Sequence, residues 1–284
     1  MRKAFMRWVT SKWLKQYRKT KETSGVRAVF LGDYVSTQVI LHRVYEQGVI
    51  ATLERCVFPK LKPNSVCLDV GANIGNHAAA FSGSFDRVFA FEPNPIVFHL
   101  LQANAVGRNI QPVNIGLSSI AGQLFFEQDY QNFGASHIIA TATSTSITIN
   151  VNTLDCEVAV RSIEDVSFVK IDVEGHELEV LRGAEKLLTS HRPVLAMEAL
   201  YRDLATSGQT IEALLRSYGY KHFYRMRSNS KFVEFLEERD FNLNRSALRF
   251  FVTQGQRNDM SLEEIKTIGG HDNPLIVVSS RPLE

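Results

Sequence analysis

Val66-Cys67-Leu68-Asp69-Val70-Gly71-Ala72-Asn73-Ile74-Gly75-Asn76-His77 is the stretch that decides the fold. An apolar run ends in an acid. Glycines follow at 71 and 75 around Asn73, and then comes a segment able to start a helix. This reads as a strand, a tight turn and a helix N-terminus, where backbone N–H groups are expected to point at a ligand. The dinucleotide fingerprint Gly-x-Gly-x-x-Gly is absent. Instead Asp69, Gly71, Asn73 and Gly75 alternate, and Asn is one of the few non-glycine residues that enters the left-handed region readily.

Outward from this turn, strands and helices alternate. Strands are expected over residues 65–69, 87–92, 112–117, 168–172 and 193–198, with closing strands at 222–226 and 275–279. Helices are expected from residue 76, over 95–105, 176–188 and 210–218. Upstream, Val39, Leu41, Val44, Val49, Leu53 and Val57 follow helical spacing, and Pro59 and Pro63 close that segment. Apolar strands alternating with helices predict an α/β, Rossmann-like domain: a mostly parallel central sheet with helices on both faces. A Thr/Ser-rich β-like stretch at 138–154 reads as a hairpin or insertion. Residues 228–273 are too long for a turn and read as a second insertion. The expected organisation is a basic extension over 1–32 and one domain over 33–284.

Bulk composition narrows the function classes. The chain has 284 residues, 44% hydrophobic and 22% charged, with a net charge of only +2. That is ordinary for a globular protein and argues against a DNA-binding role. Cys56, Cys67 and Cys156 are widely spaced, so neither a zinc knuckle nor a disulfide framework is expected. With no apolar run long enough to span a bilayer, a cytoplasmic location is expected. Between Arg2 and Lys21 the chain is basic with no acid, and Phe5, Val9, Trp13 and Tyr17 recur every four residues. Residues 1–21 are therefore a candidate for peripheral membrane contact or for a helix packed on the domain.

Ligands of such sheets bind outside the carboxyl ends of the strands. Asp69, Glu92, Asp172 and Glu198 each end an apolar strand and so should surround the site. Gly71, Ala72, Asn73 and Gly75, with Asn76 after them, are expected to let the backbone approach a cofactor closely. Asp69 is expected to take a cofactor ammonium. Glu92 is expected to accept from both ribose hydroxyls, with Pro93 and Asn94 beside it. Gly116, Leu117 and Ser118 are expected to form an adenine-facing loop.

The alternating turn resembles the acid-x-Gly-x-Gly-x-Gly turn of S-adenosylmethionine (SAM) methyltransferases, with Asn73 in the middle glycine's place. Over residues 34–220 the chain resembles the FkbM-type methyltransferase family. The resemblance rests on Leu68 to His77, Phe91-Glu92-Pro93-Asn94-Pro95, Asn132-Phe133-Gly134-Ala135-Ser136, Thr153-Leu154-Asp155, and above all Val169-Lys170-Ile171-Asp172-Val173-Glu174-Gly175-His176-Glu177. It implies a SAM-dependent enzyme that methylates a hydroxyl of a sugar, polyketide or other small molecule.

A hydroxyl is a poor nucleophile until its proton leaves, so a nearby base is expected. Lys170, Asp172 and Glu174 are the catalytic candidates, Asp172 first as base or orienting group and Glu174 second. If the strand stays regular, alternation puts all three on one side. Asn132, Ser136, His176 and Glu198 are the acceptor-side candidates. His77 reads as a structural hydrogen-bonder, and no metal is expected. Two alternatives stand: an RNA ribose 2′-O-methyltransferase, and a catalytically silent SAM-binding domain. The oligomeric state leaves no signal in the sequence.

Overall fold

The computed structural model describes residues 28–198, 209–228, 260–268 and 275–283. The basic segment over 1–21 and most of 228–273 lie outside the described residues. The chain enters through two helices, Tyr34–His42 and Gln47–Cys56, and one 3-10 turn, Phe58–Lys60. Of the helical-period positions, Val39, Leu53 and Val57 are buried, whereas Leu41 faces solvent. Strands β1 (Val66–Val70), β2 (Arg87–Phe91) and β3 (Ile110–Val113) follow, separated by helices Asn76–Phe81 and Pro95–Ala105. The second of these starts where expected because Asn94 caps it, accepting from Ile96 N–H at 3.0 Å, and Pro95 occupies its first turn.

The strand expected over 112–117 is two pieces. β3 ends at Val113, and β4 (Gly116–Leu117) leaves for a separate sheet with β5 (Gly122–Glu127), β6 (His137–Ile139) and β7 (Ser146–Asn152). The β-like stretch of the sequence is thus part of a four-stranded sheet in the order β4-β7-β5-β6. Its core is Phe126, Ile149 and Val151.

The chain returns through helix Leu154–Val160 to β8 (Val166–Ile171), β9 (Val194–Glu198), β10 (His222–Ser228), β11 (Met260–Ile265) and β12 (Leu275–Ser279). Met260–Ile265 falls inside the expected 228–273 insertion and is a strand of the main sheet. The main sheet has eight strands in the order β11-β10-β12-β9-β8-β1-β2-β3. It is parallel from β3 to β9 and antiparallel beyond. The fold is α/β and Rossmann-like. The helix expected over 176–188 is two, Glu177–Arg182 and Glu185–Ser190. The second starts because Asp155 accepts from Lys186 and Leu187 N–H, both at 2.9 Å, so Thr153-Leu154-Asp155 is a capping device.

Both faces of the sheet are covered, as a parallel sheet requires. Leu68, Val70, Val169 and Ile171 pack into one core, and Cys67, Ala90, Phe168 and Ala196 into the other. β1 and β8 lie side by side with Asp69 opposite Lys170, so their carboxyl ends meet. Gly71 shows how closely: its φ is +75°, and an added Cβ would sit 1.8 Å from the Asp172 carbonyl oxygen. Gly107 has nearly the same φ, +76°, but open space around it. In denaturant unfolding, Gly107→Ala is expected to cost about 1 kcal/mol, from backbone strain alone. Gly71→Ala is expected to cost more than about 3 kcal/mol or to prevent folding, because two strands must also part.

Candidate functional site

The turn after β1 is wired differently from the expectation. Gly71 and Ala72 N–H both donate to the Phe91 carbonyl, at 3.1 and 2.9 Å. Asn73 N–H donates to Glu92 Oε2 at 2.9 Å, Ile74 N–H to Asn73 Oδ1 at 2.7 Å and Gly75 N–H to the Ala72 carbonyl at 2.8 Å. Asn73 has φ 50°, the left-handed conformation expected of it. The N–H groups from Gly71 to Gly75 are therefore spent within the protein. Gly71 serves strand packing. Asn76 spends its amide on the Tyr45 backbone, accepting from its N–H and donating to its carbonyl, each at 2.9 Å.

Carboxylates present themselves at the strand ends instead. Asp69 is fully buried, and no hydrogen-bond donor among the described residues reaches either of its oxygens. Lys170 Nζ, itself buried, lies 3.5 Å from Asp69 and 3.1 Å from Asp172, with the Gly71 carbonyl at 3.4 Å. Asp69 is sealed from solvent and holds Lys170. Burial works against the Lys170 charge, but Asp172 and Asp69 outweigh it, and the ammonium stays protonated far into the alkaline range.

Burial likewise works against the Asp172 charge, and the ion pair and hydrogen bond from Lys170 reverse it, holding the carboxyl below its usual range. Glu198 moves the other way, pushed up by burial and then by the charges of Asp172 and Glu174. The two carboxyls interact, and that interaction lowers Asp172 and raises Glu198. Glu174 has φ 53°, so the chain leaves strand geometry after Ile171 and the simple alternation fails. The turn nevertheless returns Glu174 to the group: oxygens of Asp172, Glu174 and Glu198 lie within 4.8 Å of one another. Three carboxylates so close could hold a divalent cation, although the Lys170 ammonium competes for Asp172.

Glu92 closes the other side. It is buried and accepts from Asn94 N–H at 2.8 Å as well as from Asn73. Burial pushes it up to about 7, against the pull of those two N–H groups. Each oxygen keeps a lone pair for a further donor. Asn94 Oδ1 caps the following helix, its buried Nδ2 has no hydrogen-bond partner among the described residues, and Pro93 packs beside Gly116. Leu117 belongs to the core, and Ser118 Oγ pairs with His176 Nε2 at 2.9 Å, so these two form a pair of their own. Burial lowers the His176 imidazole. Ser136 is buried and accepts from Asp129 N–H at 3.0 Å. Among the described residues Asn132 Oδ1 is buried without a partner, and Gly134 packs against the Asn73 amide, so this loop does reach the turn.

Residues 33–46 also contact these elements. Asp33 accepts from Phe133 N–H at 2.9 Å and joins this segment to the 132–136 loop. Glu46 pairs with His77 Nε2 at 3.3 Å. No sequence signal marks these contacts, because each is made with a residue tens of positions away.

Residues 69–222, more than half of the chain, match the Methyltransferase FkbM domain. The chain belongs to the FkbM methyltransferase family. Among its relatives, this family member is 38% identical over 147 residues to the hexuronic acid methyltransferase AglP of Haloferax volcanii. The match covers 51% of this chain and 59% of AglP, so it spans less than two thirds of that protein. It is 28% identical over 195 residues to the 31-O-demethyl-FK506 methyltransferase FkbM of Streptomyces tacrolimicus, covering 57% of this chain and 74% of that one. A solved structure, the methyltransferase FkbM from Methylobacillus flagellatus KT, is 21% identical with a TM-score of 0.45, covering 80% of this chain and 50% of that one. Among the described residues no helix is long and apolar enough to cross a membrane.

The Glu92 environment sets a pH dependence. A carboxyl whose folded value lies above its unfolded value keeps its proton in the fold after the unfolded chain has lost it. Its contribution to stability is therefore greatest at acid pH and is lost as pH rises from the ordinary glutamate value, 4.5, to about 7. The stability difference between wild type and Glu92→Gln, measured by urea unfolding, is expected to move against wild type by about 3 kcal/mol across that window. A difference that does not change with pH contradicts this placement.

Proposed function

We propose that this protein transfers a methyl group from SAM to a hydroxyl of a carbohydrate or secondary-metabolite acceptor. Family membership supports the reaction class. The observation that carries the reading is the chemical character of the strand ends. Glu46, Glu92, Asp172, Glu174 and Glu198 gather there, with Asp69 sealed beneath, Lys170 as the cationic partner and His77 paired with Glu46. SAM carries a sulfonium, an ammonium and two ribose hydroxyls, cations or donors, besides its one carboxylate. A group of carboxylates suits those cations and donors, and the spent N–H groups of residues 71–75 are not free for a pyrophosphate.

When bound, SAM supplies an electrophilic methyl on a positive sulfur. The chain's residues do the rest. Glu92, anchored by two backbone N–H groups, has lone pairs to receive the ribose hydroxyls. The Lys170 ammonium, fixed between two carboxylates, remains charged and cannot take a proton. Asp172 remains ionised and accepts from Lys170, which fixes its orientation. It receives or orients the acceptor hydroxyl, and Glu174 is the second candidate for that proton. The relatives' names point to two acceptors, a hexuronic acid for AglP and 31-O-demethyl-FK506 for FkbM. An RNA acceptor would bring phosphates beside these carboxylates, which disfavours it.

The test is transfer from methyl-labelled SAM to a panel of sugar and polyketide alcohols. Wild type is expected to label at least one. Asp172→Asn is expected to lower kcat by about 100-fold or more and Glu174→Gln by about 10-fold. Turnover that survives both changes contradicts the base assignment, and no labelling of any alcohol contradicts the acceptor class.

A further inference from the structure

β8 ends at Ile171, and residues 172–176 carry the chain from there to the helix Glu177–Arg182. This turn holds two of the three acids whose oxygens gather at the strand ends, and the two are fixed differently. Asp172 is tied to the strands. Its N–H donates to the Val70 carbonyl at 3.1 Å, its own carbonyl lies against Gly71, and its carboxylate pairs with Lys170 at 3.1 Å. Glu174 stands two residues further on, where strand geometry has ended. It has φ 53°, and Gly175 after it has φ 96°. A glycine enters that region freely, whereas a glutamate does not. Such a conformation persists only where its surroundings over-determine it.

One side chain supplies that constraint. Glu177, 4% exposed, accepts on Oε1 from Val173 N–H at 3.3 Å and from Gly175 N–H at 3.2 Å. These residues flank Glu174, so one buried oxygen sets the path of the chain through it. Neither N–H belongs to the helix that Glu177 begins; both come before its cap residue, His176. The two bonds therefore serve the turn. The helix itself is anchored elsewhere. His176 Nε2 pairs with Ser118 Oγ at 2.9 Å, and Ser119 Oγ donates to Glu179 Oε2 at 2.5 Å. At the other end of the helix an added Cβ on Gly183 would lie 2.0 Å from the Ser118 carbonyl oxygen. Loss of the Glu177 carboxylate therefore releases the middle of the turn while Asp172 and the helix stay held.

We propose that Glu177 is a positioning residue of the methyl-transfer site. By taking the N–H groups of Val173 and Gly175 it holds Glu174 in the left-handed conformation that brings its carboxylate within 4.8 Å of those of Asp172 and Glu198. The inference rests on the methyl-transfer reading above and deepens it. Lys170 accounts for the place of Asp172, and Glu177 accounts separately for the place of Glu174. A displacement of about 1 Å in a positioned group is enough to slow a reaction by up to about 100-fold, so a relaxed turn is felt in kcat even where the fold is kept.

The experiment uses the full chain, methyl-labelled SAM and an alcohol that wild type labels, with S-adenosylhomocysteine affinity measured beside transfer for every variant. Glu177→Ala is expected to lower kcat by about 10-fold, as Glu174→Gln does, with S-adenosylhomocysteine affinity within about 3-fold of wild type. Glu177→Gln keeps an oxygen for both N–H groups and is expected to hold kcat within about 3-fold of wild type. The deciding variant combines Glu174→Gln with Glu177→Ala. If Glu177 acts through Glu174, the double variant is no slower than either single one; a merely structural role multiplies the two losses to about 100-fold. Should Glu177→Ala not fold, Glu177→Asp, which keeps the charge and draws the oxygen back by one methylene, takes its place in the same cycle. Multiplied losses, a wild-type kcat in Glu177→Ala, Glu177→Gln as slow as Glu177→Ala, or an S-adenosylhomocysteine affinity that falls as far as kcat overturns the proposal and leaves the methyl-transfer reading standing. So does a wild-type kcat in Glu174→Gln, because Glu177 then has nothing to position. If wild type labels no alcohol, it is the methyl-transfer reading that fails, and this inference fails with it.

Discussion

A lysine buried between two carboxylates, one on each of two adjacent strands, is the constraint on which this site depends. Lys170 cannot be buried alone: an unpaired ammonium in the sheet would lose its proton or the fold. It is stable only because Asp69 on β1 lies opposite it in register and Asp172 follows one step beyond β8. That requirement brings the carboxyl ends of two strands together, so closely that only a glycine fits at 71. The turn that follows must then bond to what is nearby, the Phe91 carbonyl and Glu92 at the end of β2. The same network orients Asp172, and through it Glu198.

The electrostatic consequence is a turn whose own N–H groups, from Gly71 to Gly75, are already used, beside a group of carboxylates. A glycine turn before a helix is ordinarily read as an anion cradle. Here the same backbone path ends in the opposite polarity, because two carboxylates, Asp69 and Glu92, lie where the turn begins and ends. The turn becomes a frame for acids, and the ligand chemistry follows from those acids.

Much of this was legible in the sequence for one reason: the parallel sheet imposes a local pattern. An apolar strand buried on both faces, ending in an acid, is visible in five or six consecutive residues, as at Leu68-Asp69, Phe91-Glu92, Ile171-Asp172 and Met197-Glu198. The start of the helix at Pro95 was legible, because a cap and a proline in the first turn act within one turn of chain. What stayed hidden is made by long-range pairing. Nothing local tells Asn76 that its amide will close on Tyr45, or Asp155 that it will cap a helix at Lys186 and Leu187. Gly116-Leu117 was read as the end of a strand it neighbours in sequence. Its partner is β7, and pairing across more than thirty residues leaves no period to read.

The most direct test of the acid group is calorimetric titration of the full chain with S-adenosylhomocysteine, with NAD as the comparison ligand. Both bring adenosine, but only NAD brings a pyrophosphate. The account predicts micromolar binding of S-adenosylhomocysteine and none of NAD. NAD binding as tight as that of S-adenosylhomocysteine, or no binding of S-adenosylhomocysteine to the folded protein, would contradict it.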